Sequence, residues 1–566
     1  MLIDSRELSP DHVINTEVCI IGSGPAGITL ARELANSSTR VCLLESGGIS
    51  QDSDIQDLST AETLGDPFLS LQVTRNRQLG GNSNVWSIKL GRQADRQWEI
   101  GVRYVPLDDI DFEVRDWVTY SGWPLAREEL VPYYEKAQVV AQAGSFDYDP
   151  GVWSDDQVKP VPFENASFLS KVFQFGRRSA FYQDYFQELS AAPNVDIYLY
   201  ATAVELETDE GHSSIKRVRV SNFTGNSYWV QAKVFVLATG GVEVARLMLA
   251  SNQHQTSGVG NENDLVGRFF MDHPLLDLGR LYPTNTEVFQ KMAFYDMRRI
   301  DGHAVMGHFK PSRSAMTEHH LLNGAIVLFP RPSQRQTQAI LSLKVLVEQG
   351  YLKNPNPKHW PAIAQHLLNV AGGIDYVARA AYLAKTYDQS LLHGFGRGGW
   401  AEQPQTHKRF QSFEVLMITE QAPDPNNRVQ LSRDRDPLGM PRAELHWTWG
   451  QVNIDSARHT QDLFATAVET AGLGRLAKNC RDGQPYLSGP AGLAHHIGTT
   501  RMSTTPQTGV VNENCRVHSV PNLYVASSAV FPTGGYANPT LTILALSLRL
   551  ADHLKTQVLP QMMSYS

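Results

Sequence analysis

The stretch Val18-Cys-Ile-Ile-Gly22-Ser-Gly24-Pro-Ala-Gly27-Ile-Thr-Leu-Ala-Arg-Glu-Leu-Ala35, followed by Val41-Cys-Leu-Leu-Glu45-Ser-Gly, leaves this chain few folds to choose from. An apolar β-branched run, a Gly-x-Gly-x-x-Gly turn, an apolar-periodic helix, a second apolar run and an acid at its end make one βαβ unit. Gly22 permits the tight turn, Gly24 lets backbone N–H groups approach a pyrophosphate, and Gly27 lets helix and strand pack closely. Ser23, Pro25 and Ala26 complete the turn, and the helix start supplies positive potential for phosphates. Glu45 is placed to accept hydrogen bonds from a ribose. The unit predicts a bound dinucleotide without saying which one.

The rest of the 566 residues is long enough for two or more domains around a large core. Apolar content of 42% and charged content of 19% are those of an ordinary globular protein. A formal charge of −8 without a Lys/Arg cluster argues against nucleic acid as the partner. The four cysteines, Cys19, Cys42, Cys480 and Cys515, have neither CxxC nor zinc-like spacing, so neither a disulfide framework nor a metal site is expected. The N-terminus lacks a basic segment followed by an apolar one, and no run of about 20 apolar residues occurs. A cytoplasmic enzyme with no transmembrane segment is the expectation.

In chain order, Gln51 to Pro67 is polar and reads as loop. Arg75-Asn-Arg77-Gln-Leu-Gly80-Gly81-Asn-Ser-Asn84-Val85-Trp86 follows, where paired glycines suit either a backbone pressed on a flat ligand or a plain turn. Leu130-Val-Pro-Tyr-Tyr starts a helix in which Tyr133 and Tyr134 read as packing residues. Val195 to Leu206 reads as one strand, and Ile215 to Val220 and Ser227 to Ala232 continue it as a small antiparallel meander. Val234-Phe-Val-Leu-Ala238-Thr239-Gly-Gly has the text of a central parallel strand, with a helix from Val242 to Ala250 after it. Between about 280 and 475, strands at Ala293 to Pro330, a helical stretch Ala362 to Tyr387 broken at Gly372-Gly, and two strands joined across Ala422 to Asn427 suggest a mixed sheet backed by helices. The fold class is therefore α/β (α+β overall), a Rossmann-like domain with an interleaved second domain. Residues 1–104, 195–280 and 476–566 are assigned to the first, 105–194 and 281–475 to the second.

The last hundred residues return to glycine-rich text: Ala494-His495-His496-Ile-Gly-Thr-Thr-Arg501, then Ser527-Ser, then Gly534-Gly-Tyr-Ala-Asn538-Pro539-Thr540. Asn538 and Pro539 suit the N-cap and first position of a helix. A helix start aimed at a ring that gains negative charge on reduction would also stabilise it, by about 1 kcal/mol. His495 and His496 sit in a turn, and an imidazole with an ordinary pKa near 6.5 suits removal of an alcohol proton. Adjacent histidines in extended chain point apart, so one at most faces a substrate.

Read together, these blocks resemble the glucose–methanol–choline (GMC) family of flavin oxidoreductases, and within it the bacterial branch similar to pyranose oxidase and the sugar and glycoside 3-oxidoreductases. The resemblance rests on the fingerprint, Leu79-Gly-Gly-Asn-Ser, Val236-Leu-Ala-Thr-Gly, His495-x-x-Gly-Thr and Asn538-Pro-Thr in family order, with Asp111-Phe-Glu, Ser121-Gly-Trp-Pro and Arg268 to His273-Pro pointing to the branch. It implies FAD held by Gly22 to Gly27, Glu45, Ser46, Arg77, Gly80, Gly81, Asn84, Val85, Trp86, Val204, Ala238, Thr239, Ser527 and Asn538 to Thr540. It also implies His495 as base and Asn538 as partner to the substrate oxygen. Pyranose oxidases attach flavin through a histidine where this chain has Val85, so non-covalent FAD is expected; Ser527 replaces an acid common in the family.

The resulting expectation is an FAD-dependent oxidoreductase acting on a CH–OH group of a sugar or glycoside, passing electrons to oxygen, a quinone or a redox partner. An NAD-dependent dehydrogenase, a lyase of the same family with a structural flavin, a non-sugar alcohol dehydrogenase and a non-catalytic flavin-binding protein are the rivals. Flavin colour separates the first, and substrate-dependent bleaching separates the lyase and the binding protein.

Overall fold

The computed structural model describes residues 1–89, 99–163, 166–211, 213–351, 356–387, 392–395, 398–401, 409–481, 484–487 and 489–563. A six-stranded, all-parallel sheet runs in the order β1 (Leu2–Asp4), β4 (Val195–Leu199), β3 (Val41–Leu44), β2 (Val18–Ile21), β5 (Val234–Leu237), β6 (Leu523–Val525). The register places Ile21 beside both Leu44 and Leu237, so the three central strands end level. Every residue of β2, β3 and β5 is buried, which is why these strands are unbroken β-branched and apolar text. The fingerprint helix α1 (Pro25–Leu34) packs against α3 (Thr540–His553), and α2 (Gly240–Ala250) follows β5. Ligands of such sheets bind outside the carboxyl ends of the strands, and the fingerprint turn lies there.

The run from Val195 to Leu206 is not one strand. Tyr200 adopts φ +55°, which ends β4 and lets Thr202–Thr208 start a separate meander with Ile215–Ser221 and Ser227–Gln231, joined in parallel by Val13–Asn15.

The larger sheet has eleven antiparallel strands among the described residues. Its spine includes Leu275–Pro283, Ser412–Thr419, Gly324–Arg331, His303–Pro311, Phe168–Arg177 and Glu99–Tyr104. Helix Gln451–Thr470 backs it, with Phe464 against Phe168 and Phe309 at centroid distances of 5.2 and 5.6 Å. Ile88–Lys89 and Glu99–Tyr104, read from sequence with the nucleotide domain, pair into this sheet.

Two further readings are corrected. The segment 51–67 holds a short helix, Ser53–Asp57, capped by the Asp52 carboxylate, and a strand, Ala61–Gly65. That strand pairs in parallel with Pro441–Trp447, whose other neighbour is Arg428–Arg435. Ser412–Thr419 and Arg428–Arg435 therefore lie in different sheets, and Ala422 to Asn427 crosses from one to the other. The helical stretch does break at the glycine pair, into Trp360–Gly372 and Ile374–Tyr387. Tyr134 is fully buried, with its hydroxyl 2.9 Å from Thr542 Oγ1. All four cysteines are free. Among the described residues no helix is long and apolar enough to cross a membrane, and no His/Cys/Asp/Glu group could hold a metal.

Candidate functional site

A cavity of about 510 Å³ runs from the fingerprint turn to the histidine turn. At its first end the three glycines do different work. Gly22 has φ +105°, and a Cβ there would stand 2.7 Å from Ala238 O. A Cβ on Gly27 would stand 1.9 Å from Gly22 O, so this glycine allows helix and strand to touch and does not line the cavity. A Cβ on Gly24 would meet no protein atom within 4 Å, and Gly24 does line the cavity, as do Ser23, Pro25 and Ala26. The carboxylate of Glu45 accepts hydrogen bonds from Ser23 Oγ (2.5 Å), Ser23 N (3.2 Å) and Gly47 N (2.9 Å), which fixes its direction at the cavity wall.

Beside it lies a cluster that the sequence did not disclose as a unit. Arg75, Arg77 and Arg246 surround the buried Glu243, with Arg77 Nη2 at 2.6 Å and Arg246 Nη1 at 3.3 Å, and Asp436 pairs with Arg246 at 2.5 Å. Burial raises the Glu243 pKa, but the three guanidiniums outweigh it and hold the group well below the usual carboxylate range. Three cations against two anions leave this wall net positive. Arg77 also donates to Ser59 Oγ and Ser46 Oγ, and Ser46 is 3.1 Å from Thr202 Oγ1.

The glycine pair at 80–81 is pressed on protein at one residue and faces the cavity at the other. Gly80 N donates to Ser23 O, and a Cβ on Gly80 would strike Tyr182, so Gly80 stands off the cavity. Gly81 lines it and lies against Gly24, where a Cβ would be 3.1 Å from the Gly24 Cα. Asn84 turns inward and donates to Leu79 O and Gly81 O, holding the loop closed without lining the cavity. Val85, 66% exposed, and Trp86, edge-on to Phe181, do line it. Val204 does not: it is buried in the meander, and Ala201, Thr202 and Ala203 stand at the wall instead. Ala238, Thr239 and Ser527 line the cavity, with Thr239 Oγ1 buried and unpartnered.

At the far end the cavity is lined by His495, His496, Arg103, Asn538, Pro539 and Thr540. Asn538 does not cap the last helix. The helix begins at Thr540, Pro539 occupies the cap position in helical conformation, and no side chain caps it. Asn538 is 2% exposed and its Oδ1 has no hydrogen-bond partner. The two histidine rings diverge. His496 tilts over Phe270 at 5.6 Å, its Nε2 unpartnered, with burial and then Arg75 taking its pKa down to about 3. His495 turns to His273, Nδ1 to Nδ1 at 2.9 Å. Burial first, then the charges of His273, Arg103 and His496, hold the His495 pKa well below 6.5, so the ring is neutral at pH 7. Arg103, which sequence reasoning missed because a lone arginine in a strand carries no signal, has its guanidinium over Phe395 at 4.9 Å, and burial lowers its pKa to about 10.

Residues 423–547 match the family model described as GMC oxidoreductase (GMC_oxred_C), a span containing the histidine turn and Asn538. The chain is 24% identical to 2-methyl-1,2-propanediol dehydrogenase of Mycolicibacterium austroafricanum, over 95% of each chain. It is 31% identical to a C-glycoside 3-oxidase of Microbacterium trichothecenolyticum over 24% of this chain and 25% of that one. Through its C-terminal segment the chain is similar to the GMC oxidoreductases. The fold agrees with that of Aspergillus oryzae formate oxidase, at a TM-score of 0.51 and 16% identity over 96% of this chain and 98% of that one.

FAD is the cofactor that the likeness to GMC oxidoreductases implies, and the residues present fit it. The side-chain-free face of Gly24, the acid Glu45, the net positive arginine wall and the unpartnered polar atoms of Thr239, His496 and Asn538 all line one continuous cavity. A buried polar atom left without a partner costs about 1–3 kcal/mol, and five of them on lining residues, Asn76 Oδ1 and Arg103 Nε included, mark a surface built for a polar ligand.

Proposed function

We propose that this protein is a GMC-type, FAD-dependent oxidoreductase that oxidises a secondary alcohol of a sugar or glycoside, with His495 removing the hydroxyl proton and Asn538 holding the oxygen. The unpartnered, buried Oδ1 of Asn538 beside a neutral His495 is the observation that carries this reading. Bound FAD supplies the acceptor for the hydride that leaves the carbinol carbon. The chain supplies the rest. His495 is kept unprotonated by burial and by nearby positive charge, as a base working at neutral pH requires. Asn538 presents one donor and one acceptor to the substrate hydroxyl, and Arg103 adds positive potential where an alkoxide develops. The start of α3 at Thr540 faces the cavity and favours negative charge there.

We further propose that FAD is held non-covalently, because Val85 offers no nucleophile where it meets the cavity. Acid precipitation should release all flavin into the supernatant; flavin remaining with the pellet would refute this.

The relative named for a C-glycoside supports the sugar reading, and the one named for a branched diol supports a small-alcohol reading, so both classes belong in the test. The purified yellow protein is mixed anaerobically with sugars, glycosides and short diols while the flavin absorbance is followed, and air is then admitted. Bleaching by a glycoside supports the proposal. Bleaching by diols alone moves the substrate class, and no bleaching by any alcohol favours the lyase or binding-protein alternatives. The wild type and His495→Ala are compared on any substrate found; equal bleaching rates would remove His495 as the base.

A further inference from the structure

His273 touches the proposed base and has no role in the reading above. It comes from the segment Met271–His273, which is zipped to the histidine turn: Ile497 N donates to Met271 O at 2.9 Å and Met271 N to Ile497 O at 3.0 Å. One buried carboxylate ties both histidines to the same frame. Asp272 accepts the backbone N–H of His273 (2.6 Å) and of Leu493 (2.8 Å) on Oδ1, and that of His495 (3.2 Å) on Oδ2.

The ring geometry then decides where the protons sit. Two nitrogens 2.9 Å apart share one proton, so one Nδ1 donates and the other accepts. If His495 is to take a proton at Nε2, that atom must carry a lone pair, and its Nδ1 must be the donor. His273 then accepts at Nδ1 and carries its own proton on Nε2. That nitrogen is buried beside Gly534 with no hydrogen-bond partner, and the backbone of Gly534 and Gly535 favours a proton on the ring. The alternative arrangement would aim a bare lone pair at that backbone and put a proton on the base.

We propose that His273 is a positioning residue: by accepting the Nδ1–H of His495 it holds that ring in the Nδ1-protonated tautomer, with Nε2 free to act as the base. The proposal rests on the reading of His495 as base. When His495 has taken the substrate proton, the lone pair of His273 Nδ1 still faces the Nδ1–H of the imidazolium. The other charged group that bears on His495, Arg103, is cationic and opposes it. No proton leaves His273 in this scheme.

The test uses flavin-loaded enzyme and an alcohol that bleaches it. His273→Leu removes the acceptor, while His273→Asn keeps an oxygen at about the Nδ1 position. His273→Leu should slow bleaching about tenfold to a hundredfold, as loss of an orienting partner does for other functional histidines. His273→Asn should recover most of that loss, with flavin content unchanged in both. Equal losses in the two variants, or no loss in either, would overturn the proposal. Nitrogen-15 histidine spectra of the wild-type holoenzyme serve if His273→Leu does not fold: a proton on His495 Nδ1 supports the proposal, and one on Nε2 overturns it. Failure of the base reading shows separately, as His495→Ala bleaching at the wild-type rate.

Discussion

Gly24 and Gly27 stand three residues apart in one turn, yet substituting alanine at each should separate cofactor binding from folding. At Gly27 the added carbon would sit 1.9 Å from Gly22 O, a distance no real Cβ shows, so helix α1 and strand β2 must part by about 1 Å. Overpacking of this kind costs about 1–3 kcal/mol, here at a backbone contact that cannot swing aside. At Gly24 the added carbon meets no protein atom and φ is −70°, an angle alanine adopts freely. The loss of a good N-cap residue and the gain from a less flexible unfolded chain are each about 1 kcal/mol or less and oppose each other. The fold should therefore be indifferent to Gly24→Ala. The cofactor should not be, because the methyl group stands where a pyrophosphate meets the backbone amides. Losing one hydrogen bond to a charged group, about 1.5–3 kcal/mol, weakens FAD binding about ten- to a hundredfold. Denaturant midpoints of the flavin-free protein and flavin release on dilution measure the two effects. Gly24→Ala with wild-type FAD affinity, or with a stability loss equal to that of Gly27→Ala, would refute the division of labour.

Three further outcomes follow from the site. Asn538→Ala removes an unpartnered buried oxygen whose burial costs about 1–3 kcal/mol, so stability should hold or rise while alcohol-dependent bleaching slows at least about tenfold; a destabilised variant with normal bleaching would show Asn538 to be structural. Because the pKa of His495 is lowered and the neutral ring is the proposed base, the bleaching rate should be flat from about pH 7 upward and fall only on acidification below 6.5; a limb rising between pH 7 and 8 would contradict this. Arg115 and Glu420, each 1% exposed and 2.5 Å apart, form a buried pair in the second domain, and Glu420→Gln should cost about 3–5 kcal/mol in urea unfolding without changing flavin content. Asp111, whose pKa of about 7 is raised by burial and then by Glu420 and Asp108, should ionise more readily in that variant and soften the loss.

What was legible in the sequence was whatever lies on contiguous, periodic text. The βαβ unit reads directly because β2, α1 and β3 are consecutive and fully buried, and β5 reads because burial on both faces forbids polar residues. Pairings that join distant segments were not legible. Ala61–Gly65 reads as polar loop because it is a half-exposed edge strand, and only its partner 382 residues away shows it to be a strand. Tyr200 gave no warning of a break, since a tyrosine at φ +55° is held there by its surroundings and not by its own preference. In the site, the glycines and histidines carried a signal and the arginines did not. Arg75, Arg246 and Arg103 are ordinary residues in ordinary text until folding sets them around one cavity. Val204 and Ala203 illustrate the one-residue error that strand alternation turns into a change of face.

Asn538 shows how a local rule fails informatively. Asparagine before proline at the head of an apolar helix has a sufficient structural explanation in capping, and nothing in the neighbouring residues argues against it. The structure nevertheless leaves the helix uncapped by any side chain and the asparagine oxygen buried without a partner. Both are avoidable costs: a serine at the cap would satisfy the helix, and an alanine at 538 would remove the orphan atom. A chain that bears both at the end of a cavity already lined by a neutral histidine has given up local stability for a group that is satisfied only when something binds. The same reasoning applies to Thr239 Oγ1 and His496 Nε2 in the same cavity, so on the proposed reading the unpartnered atoms are those a bound ligand would satisfy. Adding flavin should therefore stabilise the protein well beyond the fingerprint, with amide exchange slowed around residues 239, 496 and 538 together; protection confined to the fingerprint turn would break that path.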